Sequence, residues 1–338
     1  MVLLLGLAVL AGYAVAKLFP GSILTAESEP KQAILKVALV TDSHNDNDLL
    51  AKALAQAKAE RVDFVIGMGD FTNTGTLDEL AVAKNVFDAS GLTYYVTAGD
   101  HDLWDSRDKA IKAIQDIEDI EVVKAKTALD NFQQVFGQSE QSFGQKGMQF
   151  VIVDNSDIYI GIHSSGWIIL ENALSRKQND VAQNTGNSKL EIRNSKNSEQ
   201  TPKLTFVFTH KTPYHPQSAH IMGEQTPVVA EQAKALIKLI EATHPCHSER
   251  SEESAQNKIL RYAQDDKRSA QDDRKCPAVD GFFSGDLHFF ANFNSPGGSV
   301  KMTTIGAVTR EPNPQGPRFG VLTVFDDYTW EVKDVEIR

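Results

Sequence analysis

The chain has 338 residues, 41% of them hydrophobic, which is enough apolar material for one large core or two small ones. Its 45 Asp and Glu outweigh 34 Lys and Arg, giving a formal charge of −11. That balance excludes a broad nucleic-acid-binding surface, which needs clustered cations, and suits divalent metal ions that prefer oxygen ligands.

The chain opens on an uncharged apolar run, "VLLLGLAVLAGYAVA" from Val2 to Ala16. It is short for a membrane span but suits a signal-peptide core or a signal anchor. Ala14-Val15-Ala16 has the small-x-small pattern that signal peptidase cuts. Residues 1–26 are therefore expected to export or anchor a folded domain over residues 33–338, outside the cytoplasm. The competing reading is a buried core segment.

From Ile34 the pattern alternates. Ile34–Val40 reads as a strand and Asn47–Glu60 as a helix, with Leu49, Leu50, Ala53, Leu54 and Ala57 at helical spacing. Val62–Met68 reads as a strand, Thr76–Ala89 as a helix and Leu92–Ala98 as a third strand. Strand-helix-strand alternation predicts parallel strands with crossover helices. Further strands are expected at Met148–Val153, Leu204–Phe208, Gly281–Phe283 and Phe319–Phe325, and a helix at Val229–Glu241.

Two polar stretches break the alternation, at about 175–203 and 246–276. Asn-Ser-Lys recurs in the first and Ala-Gln-Asp-Asp in the second. Neither has the apolar periodicity to join a core, so both are expected to be solvated insertions. Cys246 and Cys276 bound the second. They lack Cys-x-x-Cys spacing, which excludes a thiolate metal cluster of that type. In an exported domain they would be placed to pair; otherwise both stay free.

Polar clusters follow five of the strands. Asp42 and His44 follow the first, Asp70 the second, and Asp100, His101 and Asp102 the third; His210 follows Leu204–Phe208, and Asp286 and His288 follow Gly281–Phe283. In an open parallel sheet, strand carboxyl ends lie along one edge and form the binding crevice. Residues remote in sequence are thus expected to converge. Imidazole with carboxylate suits Mn, Fe, Zn, Ni or Mg, and a carboxylate such as Asp70 can bridge two ions. Two ions roughly 3.5–4 Å apart can clamp a phosphoryl group and hold a hydroxide between them.

The order Asp-x-His, Gly-Asp, Gly-x-His-Asp, His, Gly-x-x-His resembles the calcineurin-like metallophosphoesterase superfamily over roughly Leu35–Thr304. The resemblance implies an α/β fold, a four-layer αββα sandwich of two mixed β-sheets flanked by helices. It implies two divalent ions, with Asp42, His44 and His288 on one, Asp70 bridging, and Asp100, His210 and Asp286 on the other. His101 would stay uncoordinated near the scissile bond and donate a proton or stabilise the transition state. Asp102 would orient His101, or cap the helix that follows it.

The family pattern has Asn at the place of Asp100 and His at that of Asp286. Both changes fall on one metal, and they predict a harder, more negative second site that favours Mn, Mg or Ca. Lys211 stands where the family often has another His and is a candidate phosphate contact. His215, His220 and Asn73 are candidates to line the site. The expected function is hydrolysis of a small phosphomonoester or phosphodiester. The alternative is a surface protein that binds metal or phosphate with little or no turnover.

Overall fold

The apolar runs of the middle of the chain become central strands in a computed structural model that describes residues 31–107, 130–183, 202–245 and 275–338. The expectations for Val2–Ala16 and for Cys246 lie outside the described residues. Ala33–Arg338 form one compact unit.

The first part of the chain lays down β1 (Ala33–Val40), α1 (Asn47–Ala59), β2 (Phe64–Met68), α2 (Leu77–Ser90) and β3 (Tyr94–Thr97). After these come α3 (Asp130–Phe136), β4 (Gln141–Gln145), β5 (Met148–Ile152), α4 (Ser164–Gln183), β6 (Leu204–Phe208) and α5 (Pro227–Ile240). The rest is β7 (Thr243–Pro245), β8 (Lys275–Pro277), β9 (Gly281–Ser284), β10 (Ala291–Asn294), β11 (Lys301–Thr304), β12 (Arg318–Phe325) and β13 (Trp330–Glu336).

Two mixed sheets result. One has the order β13-β12-β1-β2-β3, the other β10-β11-β9-β6-β5-β4. The parallel β1–β2–β3 set follows from the crossover helices α1 and α2, while β12 and β13 add antiparallel neighbours. In the second sheet β5, β6, β9 and β11 run parallel, and β4 and β10 are antiparallel edges.

Three apolar layers hold this arrangement. Leu50, Leu54, Leu80 and Phe87 fill the space between the first sheet and its helices. Leu170, Leu236 and Ile240 do the same for the second sheet. Between the sheets Phe64, Phe150, Phe206, Phe208 and Phe283 pack through edge, tilted and stacked ring contacts, with Trp330 at the margin. The layers read helix, sheet, sheet, helix, which is the αββα sandwich expected.

Some elements differ from expectation. The second and third strands begin two residues later than the apolar runs. Residues 175–183, expected to begin a solvated insertion, continue α4 as helical backbone. The second insertion leaves from the short β7–β8 hairpin, which ties its two ends together. Among the described residues, no helix is long and apolar enough to cross a membrane.

Candidate metal centre

The five polar clusters meet where the carboxyl ends of the two sheets face each other, rather than along one sheet's edge. Asp42, His44, Asp70, Asp100 and His101 come from β1, β2 and β3; His210, Asp286 and His288 come from β6 and β9. Main-chain bonds lock the loops. Asp42 N–H donates to Gly69 O (3.0 Å), His44 N–H to Asp70 O (3.0 Å) and Gly285 N–H to His210 O (2.8 Å). Asp286 N–H donates to Asp42 Oδ2 (3.2 Å), joining the sheets.

The turns are tight enough to strain the backbone. Asp42, His44, Asp70, Asp286 and His288 have φ of 52°, 42°, 54°, 69° and 56°. Side-chain-bearing residues avoid this left-handed region, and such strain collects at functional sites. At Gly99 a side chain is excluded outright, because a Cβ would lie 2.1 Å from Asp70 Oδ1.

Two groups of donors form. In the first, His44 Nε2 lies 3.2 Å from His288 Nε2, and His288 Nε2 lies 3.7 Å from Asp42 Oδ1. In the second, His210 Nε2 lies 3.3 Å from Asp100 Oδ1 and 3.7 Å from Asp286 Oδ1. Asp70 Oδ2 stands between them, 3.6 Å from His44 Nε2 and 3.5 Å from His210 Nε2. Carbonyls fix the rings from behind. Pro312 O holds His288 Nδ1 (2.5 Å) and Met68 O holds His210 Nδ1 (2.8 Å), so Nε2 of each points inward.

Asp42 Oδ1, His210 Nε2 and Asp286 Oδ2 are buried without a hydrogen-bond partner among the described residues. Unpartnered buried polar atoms are costly, and a cation among them removes that cost. The donor set of imidazole nitrogens and carboxylate oxygens therefore fits divalent metal ions.

The charges are strongly perturbed. Burial raises the Asp42 carboxyl, with the nearby histidines opposing. Burial also works against charge on Asp100 and Asp286, yet His210 and Lys211 hold Asp100 well below the usual carboxylate range. Lys211 and His220 hold Asp286 at about 2. Burial disfavours the His210 imidazolium, but Asp70 and Asp100 raise it well above the ordinary histidine value. His44 is lowered by burial.

All seven expected ligands converge. Two other expectations change. Asp102 is buried, and its oxygens accept from Thr72 N–H (3.0 Å), Thr72 Oγ1 (2.8 Å) and Gly99 N–H (3.0 Å). It therefore clamps the β2 and β3 loops together and neither orients the His101 ring nor caps a helix. Asn73 does the orienting through its carbonyl, 2.8 Å from His101 Nδ1. Lys211 is 3% exposed, and its ammonium is engaged by Asp286 and Asp100 rather than presented to a phosphate.

His220 reaches the rim, with Nε2 3.3 Å from Asp286 Oδ1 and Nδ1 2.7 Å from Glu224 Oε1. His215 packs against Phe289 and Phe293 instead. Trp104, not singled out in the sequence, stacks on His101 at 4.0 Å. The signal was weak: Trp104 stands three positions beyond His101, a spacing that brings two side chains together only if the segment is helical.

A family model for calcineurin-like phosphoesterases matches residues 35–240. The chain belongs to this family. Its members are hydrolases acting on phosphoric ester bonds. Among solved structures, a dimetal phosphatase from Danio rerio is 15% identical, with 91% of this chain and 100% of that chain covered, at a TM-score of 0.46. A purple acid phosphatase from yellow lupin (Lupinus luteus) seeds is 13% identical, covering 90% of this chain and 52% of that chain, at 0.49. An archaeal phosphodiesterase is 11% identical, covering 89% and 100%, at 0.38. No curated protein matches the chain.

Proposed function

We propose that this calcineurin-like phosphoesterase hydrolyses a small phosphomonoester or phosphodiester at the junction of its two sheets, with divalent metal ions bound there. The observation that carries this is the convergence of Asp42, His44, Asp70 and His288, with the Asp42 Oδ1 atom buried and unpartnered among the described residues and His101 beside them. Asp42, His44 and His288 would hold one ion and Asp70 would share it with the second group. A bound divalent ion supplies positive charge for the phosphoryl oxygens and lowers the pKa of water.

The chain's own residues do the rest. His101 is fixed from three sides. Its main-chain N–H donates to Asp70 Oδ1 (2.9 Å), its Nδ1 is held by Asn73 O, and its ring lies against Trp104. A carbonyl partner places a proton on Nδ1, so Nε2 is the atom left to face the substrate: it accepts in the neutral ring, and from the imidazolium it gives a proton to the leaving oxygen. The His44 ring lies 4.7 Å from the His101 ring and perpendicular to it.

The test is hydrolysis of bis-p-nitrophenyl phosphate and p-nitrophenyl phosphate by chelator-stripped protein reloaded with Mn(II), Zn(II) or Mg(II). Metal-dependent turnover that drops about 100-fold or more in His101→Ala supports the reading. Absence of turnover with every ion, in protein that binds the ion, contradicts it.

A further inference from the structure

The two halves of the site are built differently. Asp42, His44 and His288 face one another with no lysine or arginine paired to them among the described residues. Asp100 and Asp286 already hold a cation of the chain's own. Lys211 Nζ lies 2.8 Å from Asp286 Oδ1 and 3.0 Å from Asp100 Oδ1, the distances of charge-assisted hydrogen bonds. These two oxygens are the ones that, with His210 Nε2, form the second donor group.

Lys211 is locked in place. Its main-chain N–H donates to Asn155 Oδ1 (2.9 Å), and its carbonyl accepts from Asn155 Nδ2 (2.7 Å) and Thr209 Oγ1 (3.0 Å). Asn155 is itself fully buried. With its backbone held this firmly and its buried ammonium bonded to both carboxylates, the Lys211 charge stays where those carboxylates are. A divalent ion on the same oxygens would sit within a few ångströms of the ammonium, in a site where like charges repel strongly. Asp100 and Asp286, the two departures from the family's sequence pattern, are also the two residues that Lys211 bridges.

We propose that the Lys211 ammonium takes the place of the second divalent cation, so that this phosphoesterase holds one metal ion, at Asp42, His44, Asp70 and His288. The inference rests on the metal-centre reading above. It also changes that reading, because the centre becomes one metal ion plus one tethered ammonium.

The test counts metal. The full chain is stripped, reloaded with Mn(II), desalted and analysed for manganese per chain, and its electron paramagnetic resonance spectrum is recorded. The wild type is expected to hold one ion, with the hyperfine spectrum of an isolated Mn(II). Lys211→Met removes the charge and is expected to admit a second ion, seen as a count of two and an exchange-coupled spectrum. Lys211→Arg keeps the charge and should keep the count at one. Two ions in the wild type overturn the proposal, and so does one ion in both wild type and Lys211→Met. Zero ions in the wild type overturn the proposal together with the metal-centre reading, a result distinct from either of the others. If Lys211→Met does not fold, the wild-type count and spectrum decide alone.

Discussion

Asp102 and His101 are neighbours in sequence with separable jobs. Asp102 satisfies two main-chain N–H groups and one hydroxyl in a buried junction, while His101 is partly exposed and lies beside His44 and Asp70. Asp102→Ala leaves those donors unpaired and is expected to cost about 3 kcal/mol of stability, measured by urea unfolding. His101→Ala should unfold within about 0.5 kcal/mol of the wild type while losing activity. Equal stability losses in both variants would show that the two residues do not divide the work in this way. The candidate metal ligands were legible in the sequence because their types and their places after strands both carry information. The roles of Asp102 and Lys211 were not legible, because a carboxylate or an ammonium does not state its partner. Only the fold put Thr72 and Gly99 around the one and Asp100 and Asp286 around the other.

Helix α2 links secondary structure to the site. Thr76 Oγ1 accepts from Glu79 N–H, and Glu79 Oε2 accepts from Thr76 N–H, which makes a capping box. The other Glu79 oxygen takes Asn45 Nδ2 at 2.7 Å, tying the helix start to the loop that carries His44. Burial works against the Glu79 carboxylate, but bonds from Thr74, Asn45 and Thr76 lower its pKa below the ordinary 4.5. A lowered carboxylate pKa contributes stability that is present above the unfolded value and is lost as pH falls through the folded value. Stability of the wild type should therefore fall below about pH 4.5, and Glu79→Gln should show a shallower fall in thermal melts at pH 3 to 6. Identical slopes would contradict this. The strands found from sequence, β1, β2, β3, β5, β6, β9 and β12, are apolar runs whose residues are mostly buried, and the helices found, α1, α2 and α5, carry apolar residues at helical spacing. Among those missed, β10 and β13 are half-exposed edge strands with mixed composition, and β7, β8 and β11 are only three or four residues long. The β4–β5 hairpin was also missed. Its Lys146 and Gly147 have φ of 50° and 78°, a two-residue turn that "QKGM" marks only weakly.

At the scale of the whole molecule, the phenylalanine layer between the sheets fixes the distance and angle at which their carboxyl ends meet. The chain order of the clusters was readable, but their division between two sheets was not, since strand pairing across long separations leaves no local pattern. Each sheet supplies only part of the ligand set, so metal binding and hydrolysis should depend on both. The most direct measurement of this claim is Mn(II) binding together with bis-p-nitrophenyl phosphate hydrolysis in Asp42→Asn, from the first sheet, and His288→Ala, from the second. Both variants are expected to weaken metal binding and to lose about 100-fold or more in rate at limiting Mn(II). Full activity and unchanged metal affinity in either variant would contradict a single centre assembled from both sheets.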